Sequence, residues 1–269
     1  MSNLKLSLTL VILGVLVIAK PVLGESFTIV TPYYGIEDNT MEYGKYGVEL
    51  EDSAPMKGLY LQNVNPDKFQ WNLFLYRTEH INYSDLWGFN FIYDYYFGTH
   101  DNIKNVIGLG MNYLDNNLMG EDVPTKFGKL PAMQMDFSVT SYYLRIGRYY
   151  DFGNDQLHCS VLPWAGWEWD RTDGEGFVAI SPRYSVKFPM DDDQSTLLVG
   201  LNFKMTFHHF LQAELKHSVV CDHDDYLNRS SAMVNLFFTK NIGLSYRYNR
   251  QELAMGTDEH SMLGIAVVF

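Results

Sequence analysis

Over most of its length this chain alternates apolar and polar residues one for one, a period that suits extended strands and no helix. Between Leu197 and Phe207 one face reads Leu197, Val199, Leu201, Phe203, Met205, Phe207, and the other Leu198, Gly200, Asn202, Lys204, Thr206. Trp87, Phe89, Phe91, Tyr93, Tyr95 and Phe97 make an all-aromatic face opposite Gly88, Asn90 and Asp94. The runs 178–188 and 242–248 alternate in the same way. Each segment ends in a cluster of Asp, Asn, Gly or Pro, the residues that turn a chain. From about residue 40 onward no helical period is sustained, so the fold class is all-β.

Alternation is shared by soluble sandwiches and barrels, whose apolar face is inside, and by transmembrane barrels, whose apolar face meets lipid. Three features favour the second. Aromatic residues gather near strand ends (Trp71, Trp87, Tyr95–Phe97, Tyr142–Tyr143, Tyr149–Tyr150, Trp164, Trp167, Trp169), where amphipathic rings suit a membrane–water boundary. The opposite faces carry Gly, Ser, Asn and isolated charges, as a lumen would. The chain also closes on a strand with Leu263, Ile265, Val267 and Phe269 on one face. That ending, an aromatic last residue preceded by alternate apolar positions, resembles the C-terminal signature of bacterial outer-membrane proteins. The resemblance implies an assembly signal read by the barrel-assembly machinery, a C-terminus in the periplasm, and lipid and lipopolysaccharide as neighbours.

The N-terminus reads as a secretory signal. Lys5 is followed by the apolar stretch 6–18, and Val22-Leu23-Gly24 offers permissive residues before Glu25. The apolar stretch is shorter than the roughly 20 residues a membrane helix needs, and no such stretch follows it. Residues 1–24 are therefore expected to be a cleaved signal peptide. Residues 25–56 are read as a periplasmic lead-in, with a plug or a first strand as alternatives, and 57–269 as the barrel. A net charge of -12 and the absence of any Lys/Arg run exclude nucleic acid as a partner.

Twelve strands are expected, with ten or fourteen as alternatives: 57–64, 68–78, 85–97, 103–114, 133–149, 157–170, 176–188, 195–207, 211–221, 230–239, 242–251 and 259–269. The fragments 205–211 and 238–244 resemble each other and read as tight periplasmic turns. This plan contains a conflict. With both termini in the periplasm it puts the long connection 115–132 on the periplasmic side, where turns are short.

Lipid-facing charge costs several kcal/mol, so charged residues on polar faces should line the lumen. Those are Asp94, Asp136, Arg183, Lys187, Lys204, Glu214, Lys216 and Arg247, joined by Glu168 and Asp170. His158 and Ser160 lie two apart and could share a strand face, the imidazole acting as base for the hydroxyl. The His-x-Ser pattern resembles that of outer-membrane phospholipases and lipid A deacylases, which would imply a lipid hydrolase. Here, though, Val161, Leu162 and Pro163 follow where the phospholipase pattern continues with Asn and Gly. His208-His209 reads as a solvated turn, and Asp191–Asp193 and Asp222–Asp225 as acidic loops. No zinc-type spacing of Cys and His occurs, and no metal or other cofactor is expected. Cys159 and Cys221 could pair only if the fold brings them together.

The preferred reading is a narrow channel or porin-like barrel for small polar solutes in the outer membrane of a Gram-negative cell. The alternatives are the hydrolase on His158 and Ser160, and a closed barrel with structural or surface-interaction duties.

Overall fold

In the computed structural model the described residues are 26–43, 48–78, 84–100, 102–125, 128–154, 156–181, 183–208, 210–221, 226–253 and 256–269. The proposed signal peptide lies outside them, as do His209 and Asp222–Asp225. Thirteen strands form among the described residues and no helix does. They are β1 (Phe27–Tyr43), β2 (Val48–Asn65), β3 (Phe69–Thr78), β4 (Ser84–His100), β5 (Ile103–Thr125), β6 (Gly128–Gly153), β7 (Leu157–Ser181), β8 (Tyr184–Pro189), β9 (Asp192–Phe207), β10 (Leu211–Cys221), β11 (Tyr226–Phe237), β12 (Ile242–Leu253) and β13 (Gly256–Val268).

Every strand but β8 pairs antiparallel on both edges, and β13 returns to β1, so twelve strands close a transmembrane up-and-down barrel. The expected number is met by a different set of strands. Residues 27–43, read from sequence as a lead-in, are β1, a wall strand bonded to β2 on one side and β13 on the other. Pro32 masks this in the sequence, because a proline cannot donate to a ladder. The β1–β13 pairing accommodates it by running through Val30↔Val267 and resuming at Tyr33↔Gly264.

The segment 176–188, counted as a spanning strand, is a correction of the opposite kind. Its first part is the far end of β7, and its second is β8, which pairs only with β7 over Glu175–Ser181. Pro182 sits between the two stretches in the sequence, and a proline there interrupts a run that alternates well. With one strand gained at the front and one lost in the middle, the conflict over 115–132 disappears. Those residues extend the β5–β6 hairpin from Asp115↔Ser138 out to Thr125↔Gly128, on the side away from the termini.

The turns at 65–69, 100–103, 153–157, 207–211 and 237–242 share the end of the barrel with both strand termini. His208 adopts φ 47°, the left-handed conformation a tight turn requires there. Strands β5, β6 and β7 run for 23, 26 and 25 residues, against 10 for β3. About 9–11 residues cross a bilayer, so this part of the wall stands well proud on the loop side.

The barrel is inverted relative to a soluble protein. Leu109, Leu144 and Trp167 are neighbours in register and all point outward, exposed. Leu263, Ile265 and Phe269 are 61%, 54% and 69% exposed, whereas their interleaved partners Met262 and Ala266 are fully buried in the lumen. Rings crowd the terminus-side rim of the outer face: Tyr95, Phe97, Tyr150, Phe152, Phe207 and Phe269. Two consequences can be measured. Unboiled protein should migrate differently from boiled protein on a gel. Leu144→Arg, at mid-belt, should destabilise the barrel in lipid by about 2–4 kcal/mol in an unfolding titration; a cost near zero would show that this face does not meet hydrocarbon.

Candidate functional site: the charged lumen

The inward faces are set by strand parity, and large rings fill the barrel by lying flat on glycines of the neighbouring strand. A Cβ added to Gly110 would fall 1.8 Å from the Tyr143 ring, and one on Gly200 2.4 Å from the Trp164 ring. Glycine in a strand often marks such a close approach. Near the termini Ile29, Phe237 and Ala266 form one apolar cluster, and Tyr96, Val106 and Leu162 another. Tyr33, Met56, Tyr60, Phe74, Met233 and Met262 form a third, from strands on both sides of the β1–β13 seam.

Ionic groups are threaded between these clusters. Arg145 grips Asp94 in a bidentate pair, with Nη2 2.8 and 2.7 Å from the two carboxylate oxygens and both side chains 5% exposed. The same guanidinium lies 5.3 Å over the Trp164 ring. Arg229 Nη1 donates to both oxygens of the buried Glu168 at 3.0 and 2.7 Å, linking β11 to β7 across the bore. Glu214 forms ion pairs with two ammonium groups, Lys204 at 3.4 Å and Lys216 at 3.2 Å. Lys204 also donates to Gln70 on β3, across the lumen, and stands 6.0 Å over the Tyr149 ring. Arg247 is stacked over Tyr60 at 4.8 Å and Phe74 at 4.4 Å, and no carboxylate partner of it occurs among the described residues.

On the loop side of this layer lies a cavity of about 550 Å³. Arg145, Glu168, Lys216, Arg229, Arg247 and His260 are among its walls, and it reaches a rim where His217 and Arg250 are exposed.

The residues expected in the lumen therefore divide. Asp94, Lys204, Glu214, Lys216 and Arg247 meet inside, with Glu168 in their company. Asp136, Arg183 and Lys187 do not. Asp136 has the parity of outward Tyr142 and Leu144, and with Lys187 it lines a groove of about 720 Å³ on the outer face of the protruding β5–β6–β7 wall. Arg183 lies in the turn before β8, exposed. The misplacement of Arg183 and Lys187 follows from treating 176–188 as one spanning strand, and that of Asp136 from its place on the part of β6 that protrudes on the loop side. Arg145, Arg229, Glu37, Asp258 and His260 are inward charges that the sequence reading passed over. Parity could have found Arg145, since it shares the Ser141–Tyr143–Gly147 face.

Ser160 faces the lumen, not lipid, and its hydroxyl donates to the Tyr149 hydroxyl at 2.8 Å. The His158 imidazole is exposed and sits 3.6 Å from Asp151. Each side chain thus has another neighbour, and no hydrogen bond joins the two. Cys159 lies at the terminus end of β7 and Cys221 at the loop end of β10, and both are free.

No family model matches this sequence, and no curated protein matches it either. Solved structures do. The translocator domain of the autotransporter NalP from Neisseria meningitidis superimposes with a TM-score of 0.53, at 10% identity, over 100% of this chain and 97% of that one. The KdgM porin gives 0.43 at 10% identity over 89% and 99%, and the toluene transporter TodX of Pseudomonas putida 0.41 at 10% over 91% and 90%. At such identities the likeness is one of fold: this chain is a closed β-barrel of the outer-membrane kind.

The Asp94–Arg145 pair yields a test. Removing one partner of a buried pair leaves the other charge uncompensated. Asp94→Ala should therefore lower unfolding stability by about 3 kcal/mol, and pairing it with Arg145→Met should recover part of that loss. Equal stability of the single and double variants would mean that water, not Asp94, solvates Arg145.

Proposed function

We propose that this protein is exported by a cleaved signal peptide and works in the outer membrane of a Gram-negative cell as a low-conductance channel for small polar solutes. The observation that carries this reading is the charged cavity on the loop side of the barrel, above a layer of side chains rather than a plug domain or a wide opening. Twelve strands enclose a narrower bore than the 16–18 of water-filled porins, and side chains reach across it. The Lys204–Gln70 bridge and the rings of Tyr96 and Tyr149 form the constriction. Side chains of this kind can swing aside, whereas the backbone wall cannot.

The charge balance at the constriction sets the preference. Among the described residues at the constriction, Arg145, Lys204, Lys216 and Arg247 outnumber Asp94 and Glu214, while Glu168 is matched by Arg229, which leaves a local excess of positive charge in a region of low dielectric. Small anionic solutes would be favoured by field and by size, as in other charged pores. The outward Leu263, Ile265, Val267 and Phe269 serve the assembly machinery in this reading, and the apolar belt meets outer-membrane lipid and lipopolysaccharide.

Refolded protein in a planar bilayer should give small, discrete conductance steps with a reversal potential displaced toward chloride in a salt gradient. Lys204→Ala should enlarge the steps by removing the cross-lumen bridge, and Arg247→Glu should move the reversal potential toward the cation. Absence of steps in both the parent and Lys204→Ala would instead make this a closed barrel whose loops do the work.

A further inference from the structure

Inside the loop-side mouth, β1 and β13 place four polar residues in a square. The register pairs Glu37 with His260 and Asn39 with Asp258, and all four belong to the inward-facing parity. His260 is 7% exposed and Glu37 4%. His260 Nε2 lies 3.1 Å from Asp258 Oδ1 and 3.7 Å from Glu37 Oε1. One ligand atom from each of the three falls within 4.8 Å of the others.

A simple ion bridge accounts poorly for this arrangement. A ring nitrogen carries one hydrogen and can serve one acceptor well. Yet neither contact has hydrogen-bond geometry: Nε2 of His260, Oδ1 of Asp258 and Oδ1 of Asn39 are all buried and without a hydrogen-bond partner. Unsatisfied buried polar atoms are rare and costly. Here three occur together, and the Nε2 atom of a nine-tenths buried imidazole is aimed between two carboxylates. Their common feature is a lone pair. Ligands on a metal with bonds of about 2.1 Å stand roughly 3.0–3.4 Å apart at tetrahedral or octahedral angles. The His260–Asp258 separation of 3.1 Å falls within that range, and the His260–Glu37 separation of 3.7 Å lies a little above it.

We propose that Glu37, Asp258 and His260 bind one divalent transition-metal ion, with the Asn39 side-chain oxygen or water from the cavity completing its shell. One imidazole and two carboxylates suit Zn²⁺ or a similar first-row ion better than Ca²⁺ or Mg²⁺, which take oxygen ligands. The Tyr76 ring, 5.7 Å from His260, walls one side. The ion would bridge β1 and β13, the two chain ends of the barrel, and so clip the closing seam at its outer end. This assignment stands apart from the channel reading, since a closed barrel would hold the ion equally well.

The test uses the full chain refolded in detergent and freed of metal by chelation, titrated with Co²⁺ and with Zn²⁺. One Co²⁺ per chain should bind with visible d–d absorption, and Zn²⁺ should displace it. His260→Ala should abolish the spectrum, and Asp258→Asn should weaken binding at least about tenfold. Glu37→Gln keeps the side-chain volume, so it tests the same point if His260→Ala does not refold. His217→Ala, a rim histidine bonded to Ser230, should leave binding unchanged. Zn²⁺ should also raise the temperature of the heat-induced gel shift in the parent and not in Asp258→Asn, because a ligand of the folded state stabilises it. No Co²⁺ spectrum in folded parent, or one retained in both Glu37→Gln and Asp258→Asn, overturns the assignment and leaves His260 as an imidazolium held between two carboxylates.

Discussion

Closure of the backbone hydrogen-bond ladder is what the rest of this structure depends on. Hydrocarbon offers no partner for an open strand edge, and each unsatisfied peptide group there costs several kcal/mol. The ladder closes where β1 meets β13, and its terminus-side end is clamped by Thr28 N–H donating to Phe269 O at 3.1 Å and Phe269 N–H donating to Thr28 O at 2.9 Å. The last residue of the chain is therefore a bonded part of the wall as well as an outward aromatic. A first strand and a last strand that fit each other over Ile29–Met41 leave no edge for lipid to meet.

Closure fixes parity, and parity fixes the chemistry on each side. Every residue that faces lipid commits its neighbours to the lumen, so polar and charged groups collect in a narrow bore where they must find partners. They do so mainly in pairs drawn from different strands: Asp94 with Arg145, Glu168 with Arg229, and Glu214 with Lys204, with Lys216 of its own strand alongside. Arg247 is the exception, resting on Tyr60 and Phe74 through cation–π contacts worth about 0.5–2 kcal/mol each. The lumen is thus packed on the terminus side and hollow on the loop side.

Much of the wall was legible in the sequence because a period-two pattern survives wherever one face meets lipid. The aromatic face of β4 and the terminal Leu263–Phe269 face point outward as their alternation requires. Legibility failed where the pattern is carried by something other than lipid. In β1 a proline interrupts a wall strand that neighbours on both sides hold in place. In 176–188 the alternation persists in a hairpin that stands beyond the membrane, where every residue of β8 except Phe188 is exposed. Asp136 was misassigned for the same reason: above the belt an outward carboxylate meets water and costs nothing.

The order of residues along the chain determined the class, an inverted barrel with apolar residues outward and an aromatic end strand, because parity is a local property read two residues at a time. Which inward groups meet is not local. Lys204 reaches Gln70 from 134 positions away, and Glu37 reaches His260 only because the first and last strands are neighbours. Those encounters depend on how the sheet curls and where its seam falls. The constriction and the cluster at the mouth were therefore decided by the closed tertiary structure, through the geometry that closure imposes on side chains far apart in sequence.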